Sequence, residues 1–223
     1  MRSGPWGGYN RCNTHGKDNV IPPGDGQSTL RIGSGRWSGR KLLPPPKQAE
    51  TRPMTGSAKK SLLSILRPWL DSGTVLDLYC GTGTLGLEAL SNGAARACFA
   101  DRDPRVVERL RRNIDTCQAD AACSVWVGRV EQRLADWLAK LRAAGHPVDI
   151  AFVDPPYAAA RTWTWRRLER KVFTPLAEAM TDDGVVVLRL PDDVPEPESL
   201  GPLTRQRTKN YGQMIVAFFQ RTD

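Results

Sequence analysis

The chain is poor in the residues that most metal and redox sites require. Only His15 and His146 occur among 223 residues, neither of them in a motif. A histidine-based hydrolase or a His-rich metal centre therefore has little to work with. The five cysteines (Cys12, Cys80, Cys98, Cys117 and Cys123) are odd in number and scattered, with no C-x-x-C pair. That argues against a disulfide framework or a zinc site and for buried free thiols. No metal is expected. Asp, Arg, Gly or Pro interrupts every apolar run before the roughly 18 residues of a membrane span. Basic residues near the start are not followed by an apolar segment, so no secretory signal is expected. A cytoplasmic monomer is the expectation.

What is present fits a soluble globular domain: 40% hydrophobic and 25% charged residues in a chain long enough to bury a core. The net charge of +8 is unevenly placed. Residues 1–60 carry eleven Lys and Arg against three acids, whereas the remaining 163 residues carry 21 of each sign. A neutral body with a basic first quarter suggests a catalytic domain with a polyanion-binding front end.

Three segments follow from composition. Residues 1–29, rich in Gly, Pro, Asn and Ser, are expected to be a disordered extension. Residues 30–56 are expected to form a basic hairpin and linker, presenting Arg31, Arg36, Arg40 and Lys41 with Trp37 among them to RNA. Residues 57–223 alternate helical and strand patterns. A helix with Ser57 as its N-cap precedes a buried strand at 74–80, and a helix at 82–91 follows. Strands at 97–100, 123–127, 148–153 and 184–190 are interleaved with helices at 104–116, 130–144 and 163–180. Late strands at about 203–209 and 213–220 flank Tyr211-Gly212, a hairpin signal. This alternation predicts an α/β fold with a mostly parallel sheet, helices on both faces and an antiparallel closing hairpin.

Two motifs carry chemistry. Gly81-Thr82-Gly83-Thr84-Leu85-Gly86 leaves the first strand and opens a helix, with Asp101 twenty residues beyond Gly81. Alone this satisfies a dinucleotide fingerprint, and NAD is a fair rival. Asp77, however, lies inside the strand four residues before Gly81. An acid there suits the amino group of a methionine moiety and would repel a pyrophosphate, and the loop holds no basic residue. The balance favours S-adenosylmethionine. Asp103, directly before Pro104, suits an N-cap, which leaves Asp101 for ribose hydroxyls. A helix-capping or loop-bracing carboxylate is the alternative for Asp77.

The second motif, Asp154-Pro155-Pro156-Tyr157, follows the strand DIAFV. Loops at the carboxyl ends of central strands line the ligand crevice of an open parallel sheet, so this tetrapeptide should face the cofactor loop. An exocyclic base amine is a poor nucleophile because its lone pair is delocalised into the ring. Asp154 and the carbonyl of Pro155 can accept its N–H hydrogens, pulling the nitrogen toward sp³ character and aiming it at a methyl sulfonium. Proline supplies no N–H, so the turn offers acceptors. Tyr157 offers a face for a flipped base. No Pro-Cys motif supports attack on a pyrimidine ring.

With both motifs placed, the chain resembles the bacterial small-subunit (16S) ribosomal RNA guanine-N2 methyltransferase family over about residues 30–220. The resemblance rests on LRIGSGRWSGRKL (30–42), TRPMT (51–55), VLDLYCGTGTLGLEALSNGA (75–94), DIAFVDPPY (149–157) and KNYGQ (209–213). It implies a Rossmann-like class I methyltransferase fold with a seven-stranded sheet. It also implies metal-free transfer from S-adenosylmethionine to a guanine N2 of 16S rRNA, naked or in an assembling small subunit. Cofactor would be held by Asp77, Gly81, Thr82, Gly83, Gly86, Asp101, Arg102, Arg129 and Val130, with Arg52 and Thr55 closing the site and Asp154–Tyr157 holding the base. Three departures stand out. Met54, Gly56 and Lys59-Lys60 replace a more acidic pattern. Arg129 replaces an acid beside the adenine, costing about 1–2 kcal/mol unless backbone groups substitute. The family's starting methionine aligns with Leu30, so residues 1–29 are expected to be a mis-assigned start.

Rival readings remain at this point. A DNA adenine-N6 or cytosine-N4 methyltransferase also uses D-P-P-Y, but the spacing leaves no room for a target-recognition insertion. A glutamine-N5 protein methyltransferase favours Asn at position 154. A degenerate fold that only binds RNA is a third.

Overall fold

The computed structural model describes residues 30–46 and 54–221. The expectations for residues 1–29 and for Arg52 lie outside the described residues.

Helix α1 (Gly56–Leu70) precedes β1 (Thr74–Leu78), α2 (Thr84–Ser91), β2 (Arg96–Asp101), α3 (Pro104–Cys117), β3 (Cys123–Val127), α4 (Val130–Ala143) and β4 (Val148–Val153). There follow α5 (Tyr157–Thr162), α6 (Trp165–Leu168), a π-helical turn (Glu169–Phe173), α7 (Thr174–Ala179), β5 (Met180–Pro191), β6 (Ser199–Leu200), β7 (Leu203–Asn210) and β8 (Met214–Arg221). The strands form one sheet in the order β3-β2-β1-β4-β5-β8-β7-β6. β1 to β5 pair in parallel, and β8 and β7 close the sheet antiparallel. The expected α/β architecture is present, with β6, two residues long, as an eighth strand on the edge beside β7.

Period-two alternation divides the sheet between two cores. Val75, Phe99, Ile150, Phe152, Val185 and Val187 pack with α1 to α3. Leu76, Leu78, Cys98, Ala151, Val153, Val186 and Leu188 pack with α4 to α7. Strands buried on both faces read as continuous apolar runs, and that is why they were legible. The four described cysteines, Cys80, Cys98, Cys117 and Cys123, are free. No helix among the described residues is long and apolar enough to cross a membrane.

Local boundaries differ from expectation for identifiable reasons. Thr55, not Ser57, caps α1, its hydroxyl accepting from Ala58 N at 3.3 Å. The helix expected over 163–180 is broken: α5 starts at Tyr157 itself, and the chain is extended at Trp163 and Thr164 before α6. β5 begins at Met180 rather than Gly184 because Met180 already pairs with Val148, ahead of a register shift.

The basic segment is no free arm. A single bridge, Arg31 to Lys41, closes it around a tight turn at Gly35–Trp37. Ile32 and Leu42 are buried in the α1–α3 core, each contributing about 1.5–3 kcal/mol. Gly35 has φ 78°, and a Cβ there would collide with the Ser91 backbone. Ser91 Oγ donates to Ser34 O and accepts from Trp37 N, and Asn113 bonds both backbone groups of Leu43. The deepest anchor is charged. Lys59 Nζ lies 2.8 Å from Glu88 Oε1, with side chains 5% and 0% exposed. The same oxygen accepts from Gly33 N, and Lys59 also donates to Arg31 O.

Candidate active site

The strand order reverses direction between β1 and β4, and the carboxyl ends of both open into a cavity of ≈ 600 Å³. A crevice at such a switch point is where open α/β sheets take ligands. The pleat sets its floor. Asp77 lies on the same face as Val75, Asp154 on that of Phe152, and Arg189 on that of Val187. Val153 pairs with Leu188 in register, which places Asp154 beside Arg189 one residue further on.

The cofactor loop is braced by its own acids. Asp77 is 1% exposed and accepts from Gly86 N at 2.9 Å. Burial pushes its carboxyl well above the usual carboxylate range, and the neighbouring Asp154 and Asp101 push the same way. The loop-bracing role is therefore real, and it leaves a buried acid whose charge a cationic ligand would stabilise. Asp101 accepts from Gly81 N and Asp103 N, both at 2.9 Å, so it also shapes the loop. Asp103 caps α3 by accepting from Arg105 N.

The expected cofactor residues separate into two groups. Asp77, Gly81, Thr82, Asp101, Arg102, Arg129 and Val130 line the cavity. Gly83 and Gly86 stand behind it. Gly83 has φ 78°, and a Cβ there would strike Leu110, so this glycine permits the strand-to-helix turn to pack on α3. Thr55 caps α1, while its neighbour Met54 lines the cavity. Arg129 is exposed at the start of α4. Glu131 also lines the cavity and accepts the Tyr79 hydroxyl at 2.8 Å. Tyr79 itself is held at φ 59°, a left-handed conformation that costs about 1–3 kcal/mol away from glycine.

Asp154, Pro155, Pro156 and Tyr157 all line the same cavity, and Asp154 N donates to Leu78 O, tying the tetrapeptide to the end of β1. Sequence reasoning missed Arg189. Its Nε lies 2.6 Å from Asp154 Oδ1, and its Cζ is 5.7 Å from the centre of the Tyr157 ring. One signal was available: a single cation inside VVVLRLP, an otherwise apolar strand. Burial raises the Asp154 carboxyl above its ordinary value, and Arg189 opposes that shift. Arg189→Met is expected to remove the opposing charge, so the acidic limb of a rate–pH profile moves to higher pH, because Asp154 must be ionised to accept a proton. Arg189→Lys, which keeps a positive charge, should shift the limb less. An unmoved limb in the methionine variant would separate Arg189 from the function of Asp154.

Of the expected RNA-facing residues, Arg31, Arg36, Arg40 and Lys41 are exposed and Trp37 is half-buried. Arg31 donates to Gly39 O, Arg40 to Thr116 O, and Arg36 stacks 4.2 Å over Trp37.

Comparisons with known proteins place the chain in a family. The profile of the family described as "Conserved hypothetical protein 95" matches residues 30–220. The YlbH protein of Bacillus subtilis is 30% identical over 194 residues, covering 86% of this chain and 99% of its own. Ribosomal RNA small subunit methyltransferase D of Escherichia coli is 38% identical over 136 residues, 61% of this chain and 64% of that protein. Among solved structures, Escherichia coli yhhF superposes with a TM-score of 0.68 at 29% identity, over 86% of this chain and 98% of that one. The chain belongs to the conserved hypothetical protein 95 family, and its fold is that of the class I methyltransferases.

Proposed function

We propose that this protein transfers a methyl group from S-adenosylmethionine to the exocyclic N2 amine of a guanine in small-subunit ribosomal RNA. The observation that carries the reading is that Asp154–Tyr157 and the Asp77–Thr82 segment leave neighbouring strands and line one cavity at the switch point. The cofactor, when bound, supplies an electrophilic methyl on a sulfonium. Asp77 suits its amino group, because a buried acid with a raised pKa gains most from a cation. Asp101, at the end of β2, lines the same cavity and would offer its remaining lone pairs to ribose hydroxyls.

The amine is held by acceptors. Asp154 and the Pro155 carbonyl take its hydrogens, and Tyr157 stacks on the base. Asp154 then takes the proton that the amine must release once the new N–C bond forms. A carboxyl raised toward neutrality accepts a proton more readily than an ordinary one. The name of the Escherichia coli relative supports ribosomal RNA as substrate. Guanine N2 is supported by the resemblance of residues 30–42 and 51–55.

Incubation of the full chain with labelled S-adenosylmethionine and unmethylated small-subunit rRNA, both naked and within unmethylated small subunits, followed by nucleoside digestion, tests this directly. Label in N2-methylguanosine is expected; label in another nucleoside, in DNA or in protein, or no label, overturns it. For the basic segment, Arg36→Ala with Arg40→Ala should flatten the salt dependence of RNA binding by about 1–2 in log–log slope. An unchanged slope would remove residues 30–42 from the RNA interface.

A further inference from the structure

The helical run that follows the D-P-P-Y tetrapeptide carries a charge pattern that the balanced composition of the chain's body conceals. Arg161, Arg166, Arg167, Arg170 and Lys171 are exposed, whereas Leu168, Val172 and Phe173 between them are buried. Arg161 is ion-paired with Asp193 at 2.9 Å. The other four cations make no ion pair among the described residues. Glu169 is the one acid from 158 to 177. Arg166 with Arg170, and Arg167 with Lys171, stand four residues apart along the run, a spacing at which like charges repel on a helix. A polyanion would relieve that repulsion. The run also widens into a π-helical turn over Glu169–Phe173, a local distortion often found at functional sites.

An aromatic series joins this face to the cavity. Tyr79 and Trp163 both line the cavity, with ring centroids 5.9 Å apart, and Trp165 meets Trp163 edge-on at 5.9 Å. Arg167 lines the cavity as well. The exposed cations thus start at the cavity mouth and continue along the surface.

We infer that the Trp163–Lys171 face holds the RNA strand flanking the target base, with Arg166, Arg170 and Lys171 on phosphates and Trp165 against a neighbouring base. The inference rests on the proposed RNA substrate and adds a docking surface to it. When a base is turned into a pocket, its flanking nucleotides must lie at the pocket's mouth. Single strands are held by cations along the backbone and by aromatic faces on which bases stack. An acidic protein would satisfy the cations, but would leave unexplained an aromatic series running into a base-sized cavity.

The test uses the full chain and an unmethylated small-subunit rRNA transcript across a salt titration. Arg166→Ala/Arg170→Ala/Lys171→Ala should reduce the log–log salt slope by about 2, since each lost phosphate contact in single-stranded RNA removes roughly 0.7. Affinity at physiological salt should fall about 10- to 100-fold, with S-adenosylmethionine affinity and melting temperature unchanged. Trp165→Ala should weaken binding at an unchanged slope, and Trp165→Phe should restore it. A triple variant with wild-type slope and affinity overturns the inference while rRNA methylation by the wild type leaves the proposed function standing. Retained RNA binding with lost binding to poly-glutamate assigns the face to an acidic protein instead. A wild-type protein that neither binds nor methylates the rRNA, as a transcript or within unmethylated small subunits, overturns the proposed function, and this face with it.

Discussion

Replacing Asp154 with alanine is expected to lower the methyl-transfer rate by about 10³-fold while leaving affinity for S-adenosylmethionine within about twofold of wild type. The expected effect is large because the proposed reaction gives the carboxylate two tasks at one atom group. There it would draw the amine nitrogen out of conjugation and receive the proton that leaves. Removing it forfeits both the orientation of the nucleophile and general-base help, worth about 10²–10⁴ in rate. Cofactor affinity is spared because the cofactor loop is shaped by Asp77 and Asp101, which bond Gly86 N and Gly81 N independently of Asp154. The alanine variant also removes the carboxylate that Arg189 faces in a largely buried position. Asp154→Ala/Arg189→Met therefore serves as the stability control. Single-turnover transfer and calorimetric cofactor binding read the two quantities separately. Turnover retained within about tenfold in Asp154→Ala would remove this residue from the chemistry.

Lys59→Met should destabilise the protein by about 3–5 kcal/mol, because it strands Glu88 as a fully buried charge. In a domain of this size that corresponds to a fall in melting temperature of roughly 10 °C. Glu88 Oε1 would keep only Gly33 N as a donor, and Oε2 has no hydrogen-bond partner among the described residues. The same change frees Arg31 O from Lys59, so the basic segment should loosen with it. Hydrogen exchange at Gly33 and Ile32 should accelerate beyond the global effect. Adding Glu88→Leu to Lys59→Met should recover most of the loss, since a buried pair replaced by apolar groups is often neutral or better. A single variant melting within about 1 °C of wild type would show that the pair anchors nothing.

Lys59 also revises a reading made from pattern alone. In sequence it stands where a more acidic pattern is usual, as an isolated oddity next to the site. In three dimensions it has a specific partner in Glu88 within GLEAL, and together they fasten residues 31–33 to α1 and α2. Neither residue signals the other locally. Their separation of 29 positions crosses a strand and a glycine loop.

The primary structure by itself determined the element order, the glycine loop leaving β1 and the acceptor turn leaving β4. These depend on short-range causes: apolar runs in strands buried on both faces, an N-cap before Pro104, a positive-φ glycine, and prolines that donate nothing. Helix continuity after Tyr157 escaped it, because Trp163 at the break packs on Tyr79 and the π-helical turn packs on α4, contacts that local propensity does not encode. Tertiary structure alone decided three further matters. Strand register brought Arg189 to Asp154 across 35 residues of chain. The buried Lys59–Glu88 pair turned a basic front end into a docked segment. Helix α6 and the turn after it placed cations with no ion pair among the described residues at the cavity mouth, within a part of the chain whose net charge is zero. The physical reason is common to all three: pairing, burial and charge proximity depend on distances between segments, and those distances exist only once the sheet has chosen its order.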